Sequence, residues 1–172
     1  MQQEQIEIQI QNRMHELVDK INQLIIGERK RFIQQYGKHE SVAYRTVTDK
    51  SLTDWRVEQH LTGNMTLGCF YKGSHSKFLV YDIDKQDPSI PLGLIRLLKG
   101  YGFQSGDLHL EVSGTKGWHL WIFFNFPLPI DTLAAFGNFV REVLGASAKS
   151  IELRPEDPMT SRRHQASVWN SP

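Results

Sequence analysis

Nine residues, Lys77-Phe78-Leu79-Val80-Tyr81-Asp82-Ile83-Asp84-Lys85, constrain the fold of this chain more than any others. Phe78, Leu79, Val80, Tyr81 and Ile83 are the aromatic and branched aliphatic types that favour a strand buried inside a sheet. Asp82 and Asp84 stand two residues apart, and strand side chains repeat with period two, so both carboxylates project from one face. Two like charges at the end of an apolar strand are costly unless something positive neutralises them. A shared hard divalent cation does so. The stretch predicts a central strand carrying a metal-dependent site.

The rest of the chain bounds what surrounds that strand. Its 172 residues, 40 % of them apolar, suffice for one globular domain with an extension. Cys69 is the only cysteine, which excludes an intrachain disulfide and a multi-cysteine zinc site. Its expected place is the core. The net charge of +1 provides no global field arguing for or against nucleic acid. Met1 to Gln5 lack the basic-then-apolar order of a signal peptide, and the most apolar run, Trp118 to Phe126, is too short to span a bilayer as a helix. A soluble cytoplasmic protein without a membrane partner is expected.

Residues Gln5 to Tyr36 read as helix, ended by Gly37. Ile10, Met14, Leu17, Ile21 and Leu24 follow the alternating four- and three-residue steps of a heptad seam. Such a helix packs on its own domain or pairs two chains. Ser41 to Val47 predicts a strand, and Ser51 to Leu61 a short helix capped by Ser51 or Thr53. Thr66 to Tyr71 predicts a strand forming an antiparallel hairpin with the aspartate strand. Leu92 to Gly100 has helical spacing. Leu108 to Ser113 and Trp118 to Phe124 predict a hairpin closed by Pro127 and Pro129. Asp131 is positioned to cap a helix reaching Leu144, which Gly145 stops. Ser150 to Leu153 is a last short strand, and the residues beyond read as irregular. The expected fold is α+β, with a mixed and mainly antiparallel sheet behind an N-terminal helix. There is no dinucleotide-binding or Walker glycine pattern. The expected divisions are 1–38 (amphipathic helical extension), 39–153 (catalytic core) and 154–172 (irregular tail).

A second stretch, Glu111-Val112-Ser113-Gly114-Thr115-Lys116-Gly117-Trp118-His119, is also chemically loaded. His109, Glu111 and Ser113 share one face of its first strand, opposite Leu110 and Val112. A Ser hydroxyl, an ammonium, a His ring and free backbone amides on one tight turn suit a phosphate oxyanion. Beside a dicarboxylate metal site they suit a metal-bound polyphosphate. Glu152, between Ile151 and Leu153, completes a three-carboxylate set if its strand pairs with the aspartate strand.

With Asp82-Ile83-Asp84, the Ser113–His119 hairpin leading to Leu-Trp-Ile-Phe-Phe, and Ile151-Glu152-Leu153 in order, the chain resembles the archaeo-eukaryotic primase superfamily of primase-polymerases. It is most similar to the bacterial branch found in mobile-element and conflict-system proteins and beside some CRISPR loci. His60-Leu61-Thr62-Gly63 before Leu67-Gly68-Cys69-Phe70-Tyr71 matches the segment preceding the first motif, and the resemblance covers about Val42 to Leu153. It implies a catalytic core with an RNA-recognition-motif-like sheet. It further implies that Asp82, Asp84 and Glu152 are catalytic and bind Mg2+ or Mn2+, while Ser113, Lys116 and His119 contact a nucleoside triphosphate. The implied reaction is attack of a primer or initiating 3′-hydroxyl on the α-phosphate, with pyrophosphate leaving. The implied partners are a DNA template and primer, nucleoside triphosphates, and helicase, nuclease or CRISPR-associated proteins. Self-association through the N-terminal helix would add a second copy.

Two other readings stay open at this level. Asp82 followed by Glu111-Val112-Ser113 is similar to a nuclease's spaced acids, although Ser113 stands where that pattern has lysine. A binding module of the same fold without turnover would use Trp118, Trp121 and Phe123 to stack on bases. Arg154, Arg162, Arg163 and His164 could touch a nucleic-acid backbone.

Overall fold

The computed structural model describes residues 2–37, 42–113, 117–145, 150–156 and 166–168, with residues 2–4 and 166–168 described by backbone alone. The chain divides into two compact units, one built from Met1–Phe70 with Val168–Ser171 and the other from Tyr71–Ser167.

In the first unit, α1 (Gln2–Leu24) buries Val18 while Ile6, Ile8, Ile10 and Leu17 stay exposed. The side chains packed on its own unit follow the stripe Val18, Ile21 and Ile25 rather than the complete heptad seam. The helix ends at Leu24, twelve residues short of the expected Tyr36, and Phe32–Tyr36 is a strand, β1. Gly27 weakens helix continuation, and a long-range demand decides the rest. β1 is the strand that β2 (Ala43–Val47) and β3 (Leu67–Phe70) both need, with Phe32 opposite Val47 on one side and Cys69 on the other. The order is β2-β1-β3-β8, where β8 is Ala166–Val168. A strand there corrects the expectation of irregular structure throughout the C-terminal segment. α2 (Asp54–Leu61) starts at Thr53, whose hydroxyl accepts the Arg56 amide at 3.4 Å. Asp54 in its first turn is held by Arg29 at 2.7 Å and by Asn22 at 3.0 Å. Cys69 is buried, as expected of a core residue.

The second unit is a four-stranded sheet of order β5-β6-β4-β7. Its strands are β4 (His75–Ile83), β5 (Leu108–Val112), β6 (Trp118–Pro129) and β7 (Ile151–Arg154). Each pairing among them is antiparallel. Helices α3 (Ser89–Gly100) and α4 (Ile130–Val143) supply Leu94, Leu98 and Val140 to a core with Leu79, Tyr81, Ile83, Leu120, Ile122, Ile151 and Leu153. Gly137 lets α4 come close to the sheet: a Cβ there would sit 3.1 Å from both Leu153 methyls. The aspartate strand is central, as its composition requires.

Three local expectations need correction. β3 does not form a hairpin with β4; it lies in the other sheet, and a single bridge from Lys72 to His75 closes the turn that leads into β4. β6 pairs along one edge of β4 and β7 takes the other from Val80 to Ile83, while β3 pairs with β1 instead. β6 also runs through both prolines to Pro129 instead of stopping at Phe124. The register shift between Ser76 and Phe78 accommodates this far end, with the buried Ser76 hydroxyl bonded to the Phe78 carbonyl at 2.8 Å. Finally, Pro129 rather than Asp131 occupies the N-cap of α4. Asp131 sits in the first turn, where its charge favours the helix N-terminus.

Candidate active site

The register of the second sheet aligns four functional side chains in one row. Glu111 of β5 faces His119 of β6, His119 faces Asp82 of β4, and Asp82 faces Glu152 of β7. Directly opposed residues on neighbouring strands share a face, and Leu79, Tyr81, Ile83, Leu120 and Ile122 alternate onto the core side. The row therefore lies on the face opposite α3 and α4. Period-two alternation brings Asp82, His119 and Glu152 together from segments up to seventy residues apart.

His119 is the electrostatic centre of the row. Its Nε2 is 3.4 Å from Asp82 Oδ1 and its Nδ1 is 3.6 Å from Glu111 Oε2, with the ring only 16 % exposed. The contacts are long for hydrogen bonds but short for charges. The Asp82 carboxylate, followed by that of Glu111, raises the His119 pKa to about 9 against the opposing effect of burial. The ring is thus an imidazolium at neutral pH. Its charge in turn holds the Glu111 carboxyl below the usual range, aided by Trp121, whose Nε1 donates to the same Oε2 at 2.9 Å.

Glu152 is half exposed and accepts from Arg154 Nη2 at 2.6 Å; Arg154 also contacts Glu156. Arg154 thus closes the β7 end of the row as a counter-charge to Glu152. Asp84 lies one residue beyond the end of β4 and is exposed. Beside it the hairpin is pinned by Gly117, where a Cβ would fall 1.8 Å from the Ile83 carbonyl oxygen. Only glycine fits this approach. The Ser113 amide donates to the Gly117 carbonyl at 2.9 Å, setting Ser113 at the mouth of the turn. Lys116, Arg162, Arg163 and His164 lie outside the described residues.

Asp82 and Glu152 are thus direct neighbours, with Asp84 following at the strand end. Among the described residues, no three of His, Cys, Asp and Glu are gathered closely enough to hold an ion as their side chains stand. The donor chemistry nonetheless suits Mg2+ or Mn2+: carboxylate oxygens on adjacent strands, with Glu152 engaged by a surface arginine instead of buried in a fixed pair. Glu111 is the residue that sequence reasoning left out of the site. Its signal was present, because Ser113 and Gly117 closing the turn places 111 opposite 119.

The geometry bears on the other two readings. The imidazolium stands between Asp82 and Glu111, so these acids do not form a nuclease-like pair. Trp118 packs on the helix-side core, and Trp121 is 9 % exposed and stacked on Phe123 at 5.8 Å. Neither indole is presented as a free stacking platform.

The second unit is thus an α+β fold whose antiparallel sheet carries acid, imidazolium and acid in a row on one face. Residues 25–160 match the family described as the archaeo-eukaryotic primase domain of the TOTE conflict system. The chain belongs to this family of primase-polymerases. No curated protein matches it. No helix among the described residues is long and apolar enough to cross a membrane.

Proposed function

We propose that this chain catalyses template-directed nucleotidyl transfer. The supporting observation is the row Glu111–His119–Asp82–Glu152, in which one imidazolium is fixed beside a pair of neighbouring carboxylates. Asp82, Asp84 and Glu152 would hold Mg2+ or Mn2+, which when bound supplies charge neutralisation at the reacting oxygens. His119 presents a fixed positive charge to a phosphate oxygen of the incoming nucleoside triphosphate. Ser113 offers its hydroxyl from the turn, and the ammonium of Lys116 is the further phosphate contact of this reading.

In this reading a 3′-hydroxyl oxygen attacks the α-phosphorus, a new P–O bond forms, and the bond to the bridging oxygen breaks in line. The hydroxyl proton passes to water, and pyrophosphate leaves with the bonding pair. The protein's contribution is positioning and electrostatics. DNA template, primer and nucleoside triphosphates are the partners required.

The test is extension of a labelled primer-template with nucleoside triphosphates and Mg2+ or Mn2+. We expect metal-dependent lengthening by the parent, background levels for Asp82→Ala/Asp84→Ala, and a loss of roughly a hundredfold for His119→Ala. Undiminished extension by the aspartate double variant would sink the metal assignment. Primer shortening would indicate the nuclease, and a mobility shift without lengthening the inactive binding module.

A further inference from the structure

We infer that Arg154 is a built-in competitor for the divalent cation at Glu152, with Glu156 as its second resting place. The inference deepens the nucleotidyl-transfer reading, and rests on it for what the cation is used for. Val80 of β4 faces Arg154 as Asp82 faces Glu152, so Arg154 shares the face of the acid row, one step along β7. Its guanidinium turns back along the strand. Nη2 donates to Glu152 Oε2 at 2.6 Å, while Nη1 contacts Glu156 and donates to the Leu153 carbonyl at 3.2 Å. The planar fork thus bridges two carboxylates.

Both acids at the centre of the row are therefore held by an internal cation before a metal arrives, Asp82 by His119 and Glu152 by Arg154. The two holds differ in kind. His119 is a short side chain, little exposed and fixed between Asp82 and Glu111, so it stays. Glu152 is 51 % exposed and open to an ion from solvent, and Arg154 has a long flexible stem and a second anion in Glu156. A cation of two charges outcompetes a guanidinium of one for the same oxygens. The guanidinium then remains on Glu156, and neither charge is left unpaired. The same pairing accounts for the spread of the acids. Asp82 and Glu152 oppose each other on neighbouring strands, yet among the described residues no three of His, Cys, Asp and Glu are gathered to hold an ion. The contact that Glu152 makes runs along its own strand, to Arg154. The cation-free chain is kept as an ion-paired row, and it takes up metal only above a threshold that Arg154 sets.

The test measures Mn2+ binding without nucleotide, from the paramagnetic resonance of the free ion. Arg154→Gln should lower the Kd at least about threefold, the scale of an exposed pair. Glu156→Gln should raise it, because the guanidinium then rests on Glu152 alone. Arg154→Gln should gain nothing where Glu152 is already Gln, whereas a charge acting only at long range would act alike in both backgrounds. The pair itself is read from metal-free urea midpoints, which Arg154→Gln and Glu152→Gln should lower non-additively; far-UV circular dichroism checks that each variant is folded. Unchanged or weaker Mn2+ binding by Arg154→Gln overturns the inference, as does an equal gain in the Glu152→Gln background or strict additivity in urea. A Glu152→Gln chain that binds no Mn2+ leaves the decision to the Arg154→Gln and Glu156→Gln shifts, whose signs must be opposite. Tightened Mn2+ binding by Arg154→Gln of a parent that extends no primer sustains the competition and defeats the polymerase. Extension by a parent whose Mn2+ affinity ignores Arg154 does the reverse.

Discussion

At the scale of single residues, Glu111 shows how a side chain that need not touch substrate can still set the site. One of its oxygens accepts from the Trp121 indole at 2.9 Å and faces His119 Nδ1 at 3.6 Å. The indole fixes the carboxylate, and the carboxylate fixes the ring and its charge. Glu111→Gln keeps the shape and removes the charge, leaving Asp82 as the one acid of the row still against His119. Loss of this charge contact loosens the ring, so the KM for nucleoside triphosphate should rise. The contact exists in the folded free chain as well, so the urea midpoint should also fall. An unchanged KM would mean that Glu111 does not orient the ring.

At the scale of elements, two junctions carry the argument. α4 lies close on the sheet because position 137 is glycine, with Leu153 at 3.1 Å and Leu79 at 3.3 Å from where a Cβ would be. A valine there must displace both core leucines, and overpacking of this kind costs about 1–3 kcal/mol. The gain in helix propensity over glycine is smaller, about half a kcal/mol. Gly137→Val should therefore lower the urea midpoint; an unchanged or higher midpoint would show that the interface is looser than described. The second junction is the turn from α2 to β3, organised by buried His60. Its Nδ1 lies 3.0 Å from the Met65 carbonyl and 3.3 Å from the Leu67 amide. Burial pushes the His60 pKa down from its ordinary value, against the opposing effect of the Met65 carbonyl. The unfolded chain then binds the proton more readily than the folded one, so stability is full above about pH 6.5 and falls as pH drops through the folded-state pKa. His119, with its raised pKa, acts in the opposite sense in parent and variant alike, so the check is the difference: going from pH 8 to pH 5 should cost the parent's urea midpoint more than that of His60→Gln. Equal slopes would remove His60 from the account. Elements with local signals were legible in the sequence: the composition of β4, the Ser113–Gly117 turn and the spacing of α4 each sufficed. β1 was not, because Phe32-Ile33-Gln34-Gln35-Tyr36 follows a helical run and becomes a strand only through pairing with β2 and β3. Glu152 was legible only as a conditional, since four residues of β7 cannot announce which strand they join.

At the scale of the whole molecule, the family match from 25 to 160 begins at the end of α1 and takes in β1 through β7. The strand read as helix thus belongs to the family's own domain, while all of α1 precedes it. The charge of the chain is close to balanced, so the nucleoside triphosphate of the proposed reaction would be held by local features such as the imidazolium row and not by a global field. Folding energetics provide a test of the row that does not depend on turnover. A cation that binds the folded chain stabilises it by RT ln(1 + [L]/Kd), about 1.4 kcal/mol at ten times Kd. For a chain of this length that corresponds to a rise of roughly 3–6 °C in Tm. Mn2+ should produce such a rise in the parent, chelation should reverse it, and Asp82→Ala/Asp84→Ala should abolish it. Asp82→Ala also removes the main partner of the His119 imidazolium, so the double variant should be less stable than the metal-free parent, and the comparison is made on the Mn2+-induced shift of each. A parent whose Tm ignores Mn2+ at millimolar concentration, or a double variant that still responds, would place the cation elsewhere than on the central strand.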